Sequence, residues 1–249
     1  MAWLRQAGRV PAHQVRVSVF GGLGAEILAQ PPCRTEVYND RNRDVFNFMA
    51  CLRDHSEEMV RRARYTPYHE AEYQHCWDLL QSGHGDKLDR AHAFGVCSNM
   101  GHVGRDPLQI ERTSFGVVAQ SHGQTAGWAR IDQVYGAVAR RLRAVQCFCR
   151  DWGWVLNRFD SEQTFFSIDP PYLGYRLYSL SMSEQDHSRL LGRVQALRGR
   201  AMIFHSPHEM YLHELRGWRR IDVNFTSAMG TVTRGKPKPR HSECVWTNY

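Results

Sequence analysis

Val15-Arg-Val-Ser-Val-Phe20-Gly21-Gly22-Leu23-Gly24 is the stretch on which the fold turns. Val15, Val17 and Val19 recur with the two-residue period of a strand, and the glycines end it. Ala25 to Gln30 reads as a short helix stopped by Pro31-Pro32, since proline cannot continue a helical ladder. Thr35 to Tyr38 is a second short strand, ending at Asn39-Asp40. Arg41 to His55 then carries Val45, Phe46, Phe48, Met49 and Leu52 at helical spacing, with Asn39 or Asp40 as its cap. Strand, glycine turn, helix, strand, helix is the beginning of a parallel α/β sheet.

The same alternation returns in the second half. A helix near Trp128 to Ala144 leads to a strand at Val145 to Cys149, and Asp151 to Phe159 suggests another helix. Thr164-Phe-Phe-Ser-Ile168 is a buried strand ending in Asp169-Pro170-Pro171-Tyr172. Ser183, with Asp186 three residues on, opens a helix to about Leu197. Strands at Arg200 to His205, Trp218 to Asn224 and Cys244 to Thr247 follow, with a helix from Pro207 to Leu215 and a turn at Gly235 and Pro239. Between the halves, residues 65–125 lack strand alternation and are rich in histidine, tyrosine and short glycine stretches. They read as a mixed helical and loop insertion, so 1–64 and 126–249 form the sheet domain.

Composition agrees with that size. The chain has 249 residues, 42% hydrophobic and 23% charged, near the globular average, which excludes disorder, collagen and coiled coil as global descriptions. No run approaches the roughly 18 apolar residues of a membrane span, and no secretory leader is visible, so the chain reads as soluble and intracellular. Seven scattered cysteines, Cys51, Cys97 and Cys147 among them in apolar contexts, suit reduced thiols better than disulfides. His75-Cys76 and Cys147-x-Cys149 lack a second ligand pair at zinc spacing, so no metal is expected. The formal charge is +7, favouring a polyanionic partner. Arg140, Arg141 and Arg143 share a helix, and Arg234, Lys236, Lys238 and Arg240 share an extended, proline-containing loop suited to phosphate contact.

Asp169-Pro170-Pro171-Tyr172 carries the chemistry. A residue before proline is pushed to extended backbone, and neither proline can donate to a ladder. The result is a carboxylate, a carbonyl and an aromatic ring at the carboxyl end of a buried strand, where open α/β sheets bind ligands. That set suits one task. The lone pair of an exocyclic adenine amino group is delocalised into the ring. Asp169 and the Pro170 carbonyl together could hold both amino hydrogens and direct that lone pair at an electrophile. Tyr172 would stack on the extruded base, worth about 1–3 kcal/mol, against a flipping cost of a few kcal/mol.

Taken together, several motifs of the chain resemble those of a known family. Val19-Phe-Gly-Gly-Leu-Gly-Ala25, Gln30-Pro-Pro32, Glu36-Val-Tyr-Asn-Asp40, Asn42 and Asn47-Phe48 resemble the opening of Dam-like DNA adenine-N6 methyltransferases of phage and prophage type. Asp169 to Tyr172 resembles their catalytic motif. Ser183-x-x-Asp186-His187-x-x-Leu190-Leu191 and Glu243-Cys-Val-Trp-Thr-Asn248 resemble their later helix and last strand.

The resemblance implies a Rossmann-like S-adenosylmethionine-dependent methyltransferase sheet with 65–125 as an inserted target-recognition region. It implies methyl transfer to a flipped adenine in double-stranded DNA, in the cytoplasm of a bacterial or phage-infected cell. Phe20, Gly21, Gly22 and Gly24 would line the cofactor's amino acid portion, Asp40 would accept from its ribose, and Asp151 and Trp152 would contact its adenine. Arg105, Arg112 and His102 would be DNA contacts within the insertion, beside Arg234, Lys236, Lys238 and Arg240.

Two departures point to a second reading. Residues 1–12 hold no Gly-Gly-Lys type segment, and Ser18-Val19 stands where the family has Glu-Pro. A relative that begins late, has lost cofactor binding and only binds DNA is that alternative. Cytosine N4 or RNA as acceptor is a third.

Overall fold

The computed structural model describes residues 10–101, 115–117, 123–174, 180–226 and 240–249. Along them run β1 (Val15–Ser18), α1 (Ala25–Ala29), β2 (Thr35–Asn39), α2 (Arg43–Asp54), α3 (Ser56–Tyr65), α4 (Glu70–Ser82) and α5 (Lys87–Met100). Then come α6 (Gly123–Trp128), α7 (Ile131–Leu142), β3 (Val145–Phe148), α8 (Trp152–Phe159), β4 (Thr164–Ile168) and α9 (Glu184–Gln195). β5 (Arg200–His205), α10 (Glu209–Glu214), β6 (Arg219–Thr226) and β7 (Arg240–Thr247) complete the described elements. The protein is α/β, with one seven-stranded mixed sheet in the order β3-β2-β1-β4-β5-β7-β6, compatible with a Rossmann-like arrangement.

Two compact units emerge. One comprises Met1–Arg41, Arg150–Tyr175 and Ser181–Tyr249; the other comprises Asn42–Cys149 and Arg176–Leu180. The second takes in the expected insertion, 65–125, together with α2, α3, α6, α7 and β3.

In the first unit β1 runs parallel to β2 and β4, and β4 parallel to β5. β7 runs antiparallel to both β5 and β6. Every residue of β4 is buried, as a parallel strand covered on both faces requires. Phe165, Met202, Phe204, Val223 and Val245 form one continuous core cluster. Across β1 and β2, Arg16 faces Glu36 in register and both are buried. Arg16 donates to Glu36 at 3.2 Å and to the Pro31 carbonyl at 2.9 Å, so neither charge lies unpartnered in the interior.

β4 and β5 occupy the residues expected of them. β6 and β7 extend past Trp218–Asn224 and Cys244–Thr247, because they zip as one ladder from Arg219↔Thr247 to Thr226↔Arg240. Asn42, rather than Asn39 or Asp40, caps α2, accepting from the Asp44 and Val45 amides. The helix expected near Trp128 to Ala144 is α7, Ile131–Leu142, and α6 precedes it, ending at Trp128. The Arg130 amide bonds back to Gly127, tightening the turn that ends α6.

The second unit is a helical bundle edged by β3. α4 and α5 pack along each other, joined by Gly83 at φ 71 and by Asp86, which caps α5. Gly95 lets α5 approach α7: a Cβ there would lie 2.3 Å from the Tyr135 hydroxyl. Ion pairs Arg90–Asp44 and Arg62–Asp89, both 2.8 Å, link α5 to α2 and α3. Among the described residues no helix is long and apolar enough to cross a membrane. All seven cysteines are free thiols, as expected.

Candidate active site at the carboxyl edge of the sheet

The strand order reverses between β1 and β4, so the chain leaves these neighbours in opposite directions. Such a switch point opens a crevice outside the carboxyl ends of the strands. The two motifs singled out in the sequence are the two turns at that edge. Ser18 sits opposite Ser167 in the ladder, and the Val19 amide donates to the Ser167 carbonyl at 3.0 Å.

The turn after β1 is tied to β2 through backbone. The Gly21 amide donates to the Asn39 carbonyl at 2.7 Å, and the Gly22 amide to Asp40 Oδ2 at 2.8 Å. Tyr38 Oη returns a bond to the Gly22 carbonyl at 2.7 Å. Gly21 has no room for a side chain: a Cβ would lie 2.3 Å from the Tyr38 ring and 2.9 Å from the Asn39 carbonyl. Gly22 differs. Its φ is +48°, and a Cβ would meet nothing within 4 Å, so its missing side chain leaves open space beside the turn. Buried Asn39 clamps the edge, donating to the Val19 carbonyl at 2.9 Å and accepting from the Arg150 amide at 2.9 Å.

The turn after β4 is held by side chains from β5 and β7. The Leu173 amide donates to His205 Nε2 at 2.9 Å, and His205 Nδ1 contacts the Ser206 carbonyl at 2.7 Å. That pair of bonds requires the neutral tautomer with its proton on Nδ1. Burial, reinforced by neighbouring histidines, pushes His205 down to about 4, so it stays neutral. Tyr172 Oη donates to Glu243 Oε1 at 2.5 Å. The Tyr172 ring lies 4.8 Å from the His205 ring, which stacks at 4.0 Å on Tyr211. Behind them His187 Nδ1 meets Tyr211 Oη at 2.7 Å; burial holds His187 at about 4 against the pull of the Pro171 carbonyl.

Asp169 is exposed to solvent, yet its carboxyl is pushed up to about 7 by desolvation and by Glu243, with the Tyr172 hydroxyl pulling the other way. Glu243, His205, His187 and Tyr211 are the residues that sequence reasoning missed as parts of this site. β7 runs antiparallel, so its first half reaches the carboxyl edge, with Cys244 opposite His205 and Glu243 beside it. The only sequence signal for them was Glu243-Cys-Val-Trp and His187 within the quoted motifs.

The remaining site residues fall as follows. Phe20 is half-buried, and Gly24, at φ 71, precedes α1. Asp151 caps α8, accepting the Gly153 amide at 2.9 Å, and its second oxygen lies 3.7 Å from Arg41. Trp152, the first residue of α8, is half-buried. Pro170 is buried and Pro171 half-buried. His102, Arg105, Arg112, Arg234, Lys236 and Lys238 lie outside the described residues. Arg240 is the first residue of β7, opposite Thr226.

Compared with protein-family models and with curated proteins, the chain matches none.

Proposed function

We propose that the protein is a DNA adenine-N6 methyltransferase of the Dam-like kind, using S-adenosylmethionine. The observation that carries this reading is the meeting of a glycine turn and an Asp-Pro-Pro-Tyr turn on adjacent parallel strands at the switch point. The glycine turn fits the cofactor's amino acid end: Gly22 leaves the open space that close backbone approach needs. Asp40 fits a ribose by type and place, an acidic acceptor just after β2 that holds the Gly22 amide of the glycine turn. When bound, S-adenosylmethionine supplies an electrophilic methyl group.

This chain's own residues supply the rest. The Asp169 carboxylate and the Pro170 carbonyl accept the two amino hydrogens of a flipped adenine and aim its N6 lone pair. Tyr172, its ring backed by His205 and its hydroxyl held by Glu243, offers the stacking surface. N6 sheds a proton after accepting the methyl group, and a carboxylate whose pKa is raised to about 7 is a competent acceptor for it. No covalent enzyme intermediate is needed; orientation and electrostatics do the work. Arg234, Lys236, Lys238 and Arg240, with Arg105 and Arg112, are the proposed phosphate contacts.

The test is transfer of labelled methyl from S-adenosylmethionine to unmethylated duplex DNA, followed by nucleoside digestion. N6-methyladenine made by the wild type and lost with Asp169→Ala is the expected outcome. A labelled cytosine product, or none from protein that binds the cofactor, overturns it. The second reading, a DNA-binding relative without cofactor, rests on Ser18 and Val19. Both are buried, Ser18 at the end of β1 and Val19 just after it, where the resembled family has Glu-Pro, and neither offers a carboxylate. Absence of cofactor binding with retained, salt-sensitive DNA binding would favour it.

A further inference from the structure

Away from the sheet, α4 and α5 bring together three side chains that the proposed reaction does not use. One carboxylate oxygen of Glu72, Cys76 Sγ and one ring nitrogen of His92 lie within 4.8 Å of one another. We propose that Glu72, Cys76 and His92 form a binding site for a thiophilic divalent transition metal of the zinc class, clipping α4 to α5.

The geometry supports it at each ligand. Glu72 and Cys76 are four residues apart, so they share one face of α4, and His92 reaches them from the packed neighbour α5. Zinc bonds of about 2.3 Å to sulfur and about 2.1 Å to oxygen at a tetrahedral angle place those ligands about 3.6 Å apart. Cys76 Sγ already lies 3.7 Å from Glu72 Oε1. The ring nitrogen of His92 lies within 4.8 Å of both.

The imidazole is prepared as a metal ligand is. Thr66 Oγ1 donates to the Arg62 carbonyl at 2.8 Å, so its 3.1 Å contact with His92 Nε2 uses a proton on that nitrogen. Nδ1 is then the nitrogen with a lone pair. Metal-bound histidines are commonly held this way, by a hydrogen bond from the other ring nitrogen.

Charge also balances. Cys76 is buried beside the Glu72 carboxylate. A thiolate and a carboxylate then neutralise one divalent ion. Arg62 stands nearby but is paired to Glu58 and Asp89, at 2.7 and 2.8 Å. Glu72 and His92 are only half-buried, giving the ion a path in. Thiolate with imidazole selects zinc-like ions over magnesium or calcium. Three protein ligands leave a fourth position to water.

The test uses the full chain, stripped with chelator and titrated with Co²⁺. One Co²⁺ per chain is expected, with thiolate-to-cobalt absorption in the near-ultraviolet that Zn²⁺ abolishes by displacement. Cys76→Ser should lose that absorption, and Glu72→Gln and His92→Gln should weaken binding at least about tenfold. Exposed His75→Gln should bind as the wild type does. Circular dichroism checks each fold; if Cys76→Ser does not fold, half-exposed Glu72→Gln decides. No Co²⁺ bound, absorption that survives Cys76→Ser, or Glu72→Gln binding unchanged overturns the site.

Discussion

The two turns at the carboxyl edge leave neighbouring strands in parallel but are held by opposite means. The turn after β1 is a backbone structure: Gly21 abuts Tyr38 and Asn39, Gly22 is pinned by Asp40 and Tyr38, and no side chain of the turn points the way. The turn after β4 is stiffened by two prolines and fixed by side chains from elsewhere, His205 and Glu243. The difference follows from the two tasks proposed. Close approach to a ligand's polar end needs backbone without Cβ, whereas orienting an amino group needs a carboxylate and a ring aimed from outside.

That contrast breaks in a definite order. Asp169→Ala should lower methyl transfer by about 10²–10³-fold, the scale for removing one pre-aimed charge-stabilising group, while leaving cofactor affinity unchanged. Transfer by the wild type should rise with pH through about 7, since the ionised Asp169 is the stronger acceptor and the form able to take the proton that N6 sheds. The same carboxyl binds its proton more tightly in the fold than at its ordinary 3.8. Ionising it within the fold therefore destabilises the protein progressively between pH 4 and 7. Asp169→Asn should melt higher than the wild type at pH 8, and the gap should close near pH 4.

Smaller effects belong to the glycine turn. Gly21→Ala must displace Tyr38 or the Asn39 carbonyl, and should cost about 1–3 kcal/mol in urea unfolding. Gly22→Ala meets no neighbour and carries only the strain of positive φ, about 1 kcal/mol. If the two substitutions destabilise equally, the distinction between a packed and an open glycine fails.

His187 and His205 act with the opposite pH sign to Asp169. Both are held neutral down to about 4, below the ordinary 6.5, so the unfolded chain binds protons first as pH falls. Stability should drop between pH 6.5 and 4, and His205→Asn should flatten that slope. Melting temperatures across this range check it.

What was legible in the sequence follows the range of the interactions. β4 is readable because a strand buried on both faces is apolar throughout, and Asp169 to Tyr172 because prolines dictate their own geometry. Glu243 and His205 were not readable as site residues. They lie 71 and 32 positions from their partners, and only strand pairing joins them. α5 hid for another reason: Ala91, Ala93, Phe94, Gly95, Val96, Cys97 and Met100 are buried around much of its circumference, leaving no narrow apolar stripe. The cap of α2 was misplaced by two residues or more. Asp40 and Asn39 are suitable cap types, but they hold Gly22 and Arg150 instead.

The most direct measurement of the division between the two turns is calorimetric titration of S-adenosylmethionine into the wild type, Asp169→Ala and Gly22→Leu. The leucine would fill the open space beside the first turn. One site per chain is predicted in the wild type and in Asp169→Ala, with binding lost in Gly22→Leu that remains folded. No heat of binding from the wild type, or Gly22→Leu binding as the wild type does, would contradict the account.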